Sequence, residues 1–176
     1  LLGYLAITES PMRLARILAF TDPFAPEVVQ EAGWQLSNSL IGIGQGGWFG
    51  VGLGNSIQKS FFLPEAHTDF IFAILVEELG AIGGLFLITL FVILLVGLIS
   101  ISFDSFKKKR FFQGYLVFGI FLLISIQAFF NIAVNIGLVP TKGLTLPFIS
   151  YGGTSIIIML SLMGIVLRVN NENKLF

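Results

Sequence analysis

The residues Leu63-Pro64-Glu65-Ala66-His67-Thr68-Asp69-Phe70 hold the only histidine of the chain and two carboxylates, directly before a long apolar run. Ionisable groups at or near a bilayer are costly to keep, so their presence there points to function. A plain alternative stands beside that reading: Thr68 or Asp69 can cap the helix that follows, satisfying amides that have no intrahelical partner. Spacing alone leaves both open. Glu77 and Glu78 lie two turns further on. On a straight helix Asp69 and Glu77 are separated by about 12 Å along the axis, too far to share one substrate atom. One of the two glutamates is therefore expected to pair with a basic residue of the bundle. Gly80 and Gly84 form a small-xxx-small pair that permits close approach of another helix.

A second polar group lies at the junction of the last two apolar windows. Asn131 and Asn135 are one helical turn apart and can hydrogen-bond to neighbouring elements. Pro140-Thr141-Lys142-Gly143 and Pro147-Phe148-Ile149-Ser150-Tyr151-Gly152-Gly153-Thr154-Ser155 follow. Lys142 suits a phosphate contact, or an ammonium that reaches to the interface from an apolar stem. Ser150 to Gly153 can break the start of the third span and expose backbone amides; packing explains the same residues.

Gly42, Gly44, Gly46, Gly47, Gly50, Gly52 and Gly54 crowd one stretch. Gly42, Gly44 and Gly47 satisfy G-x-G-x-x-G, but the dinucleotide reading needs a strand before, a helix after and an acidic residue about twenty positions on. That context is missing. Each interior glycine costs a helix about 1 kcal/mol relative to alanine, so the stretch is expected as a surface-associated or re-entrant loop. Close backbone packing accounts for it, and so does approach of backbone amides to a pyrophosphate.

The elements that must position these groups follow from composition. Of 176 residues, 55% are hydrophobic and 11% charged, and the formal charges cancel. Soluble domains carry about 25% charged residues. No basic excess suggests nucleic acid, and the absence of cysteine excludes disulfides, thiolate metal sites and cysteine nucleophiles. Residues 79–103, 111–138 and 143–167 are uncharged, and each exceeds the roughly 20 residues that cross a bilayer as a helix.

The expectation is an all-α polytopic membrane protein. It has three full transmembrane helices, the end of a fourth, and a large external loop with short or re-entrant helices. The expected order is the end of a helix at 1–7, external loop 8–68, span 69–103, cytoplasmic loop 104–110, span 111–138, external loop 139–147, span 148–168 and tail 169–176. Residues 1–7 lack the basic flank and cleavage site of a signal peptide. Lys107, Lys108, Lys109 and Arg110 fix the orientation, because short basic loops stay in the cytoplasm.

Three stretches carry a resemblance: Gly52-Leu53-Gly54-Asn55-Ser56-Ile57-Gln58-Lys59, Leu63 to Ala73 with Glu77-Glu78-Leu79-Gly80, and Val139 to Gly153. They resemble the SEDS family over nearly the whole chain, and look more like its division branch than its elongation branch. The resemblance implies a ten-helix enzyme that joins lipid II units into glycan strands, with Asp69 the essential carboxylate. It implies substrate contacts at Lys59, Glu65, His67, Lys142 and Ser150, with Lys59 favoured for the leaving pyrophosphate. Arg13, Arg16 or a divalent cation, Mg2+ or Mn2+, are other sources of positive charge. Glu77, Glu78, Gly80, Gly84, Pro147, Gly152 and Gly153 are expected to brace or pack helices. The implied partners are lipid II, a class B penicillin-binding protein, further division proteins and membrane lipids, at the septum of the bacterial inner membrane. A lipid II flippase and a division scaffold are the competing readings.

Overall fold

The computed structural model describes residues 22–25, 33–63, 67–141 and 143–175. Among them the regular structure is helical throughout: α1 (Trp34–Gly46), a π-helical turn (Gln58–Phe62), α2 (Ile71–Lys107), α3 (Phe111–Asn135) and α4 (Gly153–Leu175). α2, α3 and α4 are each long and apolar enough to cross a membrane. Their outward faces suit lipid, with Leu85 and Phe86 on α2 66% and 65% exposed. The chain is a multi-pass, all-α membrane protein. The expected end of a fourth helix, at 1–7, lies outside the described residues.

α2 is not one rod. At Gly80 the backbone takes φ 74° and ψ −177°, and the helix turns back. A Cβ on Gly84 would stand 2.7 Å from Val76 Cγ2 and 3.6 Å from the Phe72 ring. On a straight helix Phe72 and Gly84 would be about 18 Å apart. Residues 71–79 thus pack over the start of the crossing segment. Phe72, Val76, Leu87 and Phe91 share one core cluster with Ala128 and Leu146. The close approach permitted at Gly84 is used within α2, where another helix was expected.

The backbone groups around that break are paired by the glycine-rich stretch. The amides of Val51 and Gly52 donate to the carbonyls of Glu77 and Glu78, each at 3.0 Å. In return Ala81 donates to Gly47 O at 2.8 Å and Ile82 to Trp48 O at 3.3 Å. Such contact between two backbones leaves no room for side chains. A Cβ on Gly46 would lie 2.2 Å from Val76 O, and one on Gly80 2.3 Å from Trp48 O. Close backbone packing is the use of this stretch. Gly42, Gly44 and Gly46, however, lie inside α1 and not in a loop: docking on α2 outweighs their poor helix propensity.

The helix ends depart from the expected boundaries for local reasons. α3 stops at Asn135 because Gly137 enters the left-handed region at φ 73°. Its amide then donates to Val134 O at 3.1 Å and that of Leu138 to Ala133 O at 2.7 Å, a Schellman termination. α4 begins only at Gly153, since residues 147–150 form a turn with Phe148 at φ 67°. α4 then runs on to Leu175 through the expected tail. Asn173 anchors that end, donating to Ser105 Oγ at 2.7 Å, while Lys108 Nζ donates to the Asn173 carbonyl. The basic turn between α2 and α3 and the last turns of α4 therefore share one end of the bundle.

Candidate functional site

At the opposite end, α3 and the segment before α4 converge on residues 67–70. The Tyr151 amide donates to His67 O at 2.9 Å. Ser150 Oγ donates to Thr68 O at 2.5 Å and accepts from the Leu146 amide at 2.7 Å. Asn131 and Asn135 both donate to Asp69 O, at 2.9 and 3.0 Å. Asn131, Asn135 and Ser150 are each at most 2% exposed, so these bonds form in low dielectric, where they hold geometry firmly. Asn135 Oδ1 also accepts the Ala73 amide at 3.0 Å. The first turn of α2 is thus capped from α3, where capping by Thr68 or Asp69 was the plain alternative; the residue at the N-cap position is Phe70.

This strap makes a direct prediction. Asn135→Leu keeps the branching of the side chain but leaves the Ala73 amide unpaired and removes one donor from Asp69 O. Each buried orphan costs about 1–3 kcal/mol. The full-length protein carrying Asn135→Leu should melt several degrees below wild type in detergent, and an unchanged melting curve would contradict the strap.

Asp69 is half-buried, and its carboxylate lies against Gly143, where a Cβ would be 3.2 Å from Oδ2. Gly143 has φ 56°, a second reason for glycine at that position. Lys142 and Glu65, both expected at the substrate, lie outside the described residues, as do Arg13 and Arg16. His67 is exposed and lines two adjoining cavities. One, of about 230 Å³, is also lined by Lys59, Glu78, Leu53 and Ile74. The other, of about 530 Å³, is lined by Ser150, Tyr151 and Ile156. Ile71 and Ile149 are common to both. Lys59, His67 and Ser150 therefore border two neighbouring cavities, beside the segment that carries Asp69.

The glutamates divide their roles. Glu78 pairs with Lys59 at 3.8 Å, the basic partner expected for one of them. Glu77 is fully buried and takes no cation among the described residues. Its carboxylate accepts from Ser56 Oγ at 2.5 Å, the Ile57 amide at 3.0 Å and the Gln58 amide at 3.4 Å. Ser56 Oγ in turn accepts the Lys59 amide at 3.0 Å. Glu77 thus caps the turn that presents Lys59, a role that its place in an apolar helix did not reveal. Pro147 is among the fully buried side chains. Gly153 has open space where a Cβ would stand and Gly152 only ordinary contact, so neither is tightly packed against the described residues. No three His, Asp or Glu side chains come together among the described residues.

Known proteins resemble this chain in sequence and in fold. The family model described as "Cell cycle protein", of FtsW, RodA and SpoVE, matches residues 2–175. A "Probable peptidoglycan glycosyltransferase FtsW" of Saccharophagus degradans is 54% identical over 168 residues, covering 96% of this chain and 43% of that protein. One of the same description from Legionella pneumophila is 48% identical over 173 residues, covering 98% and 43%. A chain of the solved structure described as "Structural coordination of polymerization and crosslinking by a peptidoglycan synthase complex" superposes with a TM-score of 0.72. Its identity is 28%, and the match covers 98% of this chain and 46% of that one. The chain thus spans less than half the length of the relatives it matches. It belongs to the FtsW/RodA/SpoVE family, on its FtsW branch.

Proposed function

We propose that the whole protein is a peptidoglycan glycosyltransferase that polymerises lipid II during septal wall synthesis, with Asp69 as its general base. The observation that carries this reading is the strapping of residues 67–70 by the Tyr151 amide, Ser150, Asn131 and Asn135. A carboxylate on a segment held at three successive carbonyls is positioned before substrate arrives, as base catalysis requires. The names of the relatives support the same activity.

In the proposed step the acceptor sugar 4-hydroxyl attacks the anomeric carbon of the donor. Its proton passes to Asp69, and undecaprenyl pyrophosphate departs with the electrons of the glycosidic bond. A single base acting on the acceptor hydroxyl suits direct inversion. Lys59, with Lys142, supplies positive charge for the diphosphate. The basic turn at Lys107 to Arg110 supports a cytoplasmic side for that end of the bundle, and with it an outer face for residues 67–70. A class B penicillin-binding protein is the proposed partner, supported by the described subject of the structural relative.

The test is direct. Full-length protein with its partner, given lipid II in proteoliposomes under transpeptidase inhibition, should yield uncrosslinked glycan strands on a gel. Recovery of monomeric lipid II alone would count against the reading.

A further inference from the structure

The cavity of about 230 Å³ beside residues 71–79 holds a charge pair unlike an ordinary surface bridge. Lys59 Nζ stands 3.8 Å from Glu78 Oε1, beyond hydrogen-bond distance. That oxygen is buried with no hydrogen-bond partner. The Glu78 side chain is 12% exposed against 40% for Lys59, so the carboxylate sits in the wall while the cation reaches into open space. The backbone under Lys59 is fixed by Ser56 and Glu77; freedom is left to the side chain. A hydrogen-bonded backbone, a partly exposed ammonium and a poorly compensated carboxylate describe a cation at rest between partners.

We propose that this cavity receives the diphosphate of the lipid-linked donor and that Glu78 is the resting counter-ion from which Lys59 moves to the phosphate. This rests on the glycosyltransferase reading above. A compact anion of multiple charge suits an ammonium, which acts as a point charge with freely rotating donors. His67 adds a nitrogen at the same wall, and Leu53 and Ile74 keep the surroundings apolar, which strengthens the attraction. The adjoining cavity continues past His67 to Ser150, so a diphosphate here directs the sugar towards the Asp69 segment. Once the product diphosphate forms, Glu78 competes for Lys59 and favours its release.

The proposal fixes a sign that a mere brace does not share. Glu78 opposes the anion, so its removal strengthens binding, whereas loss of either half of a structural bridge weakens the site. The probe is inorganic pyrophosphate, titrated by calorimetry into the full-length complex carrying Asp69→Asn, so that binding is read without turnover. Glu78→Gln should tighten pyrophosphate roughly fivefold, the upper range for a partly exposed pair. Lys59→Gln should weaken it by a similar factor. The double variant should bind no tighter than Lys59→Gln, since the cation through which Glu78 acts is gone.

Unchanged or weaker binding in Glu78→Gln overturns the proposal. Where that variant does not fold, Lys59→Gln decides, and unaltered pyrophosphate affinity overturns it. Phosphatidylglycerol that displaces pyrophosphate at equal concentration would assign the site to bilayer headgroups and also overturn it. Variants that show these shifts, with a wild-type complex that makes no glycan, would sink the polymerase reading while leaving the anion site in place.

Discussion

Gly50→Val should abolish accumulation of folded full-length protein, read by size-exclusion chromatography of a fluorescent fusion. The Cβ would lie 2.1 Å from the Glu78 carbonyl oxygen, a distance no packed atom tolerates, at a residue with φ 78°. Valine is among the residues least able to adopt that conformation. Relief requires residues 47–52 to move off residues 77–82, and the four hydrogen bonds between them are then lost together. At about 1–3 kcal/mol for each buried group left unpaired, the loss rivals the 5–15 kcal/mol by which whole domains are stable. Gly44→Ala is the control. It lies in α1 with nothing within 4 Å of its Cβ position, so the change should be tolerated and add up to about 1 kcal/mol through helix propensity. Equal behaviour of the two variants would contradict the interlock.

Asp69→Asn should lower lipid II polymerisation by about 10² to 10⁴-fold, the usual contribution of a positioned general base. Asparagine matches aspartate in shape, and the bonds from Asn131 and Asn135 run to the main-chain carbonyl of residue 69. The strap therefore survives the substitution, and melting temperature and partner binding should stay near wild type. A large fall in activity with the fold retained separates a chemical role from a structural one. A variant that loses both would place Asp69 in the scaffold instead.

Much of this was legible in the sequence because lipid imposes strict rules. Three apolar windows had to be helices, since no other open structure satisfies its backbone in hydrocarbon. The polar residues within or beside them marked the site: Asn131 and Asn135, one turn apart in an apolar helix, meet at Asp69 O. What composition could not show was the fold-back at Gly80. Periodicity and hydropathy are blind to a single residue at positive φ inside an apolar run. The interlock was hidden for the same reason, because it is made by backbone atoms and its only sequence trace is the density of glycine. That trace argued for a loop, while the structure puts Gly42, Gly44 and Gly46 in a helix. Glu77 was misleading in a different way. A buried carboxylate suggests a cation, but amide donors from a short turn and one serine hydroxyl satisfy it as well.

The central claim is that Asp69 serves bond formation and not the passage of lipid across the membrane. The most direct measurement follows lipid II polymerisation and lipid II translocation in the same proteoliposomes, containing wild-type or Asp69→Asn full-length protein with its partner. Wild type should give glycan strands and Asp69→Asn almost none, with the same translocation rate in both. Glycan strands from Asp69→Asn at the wild-type rate would contradict it.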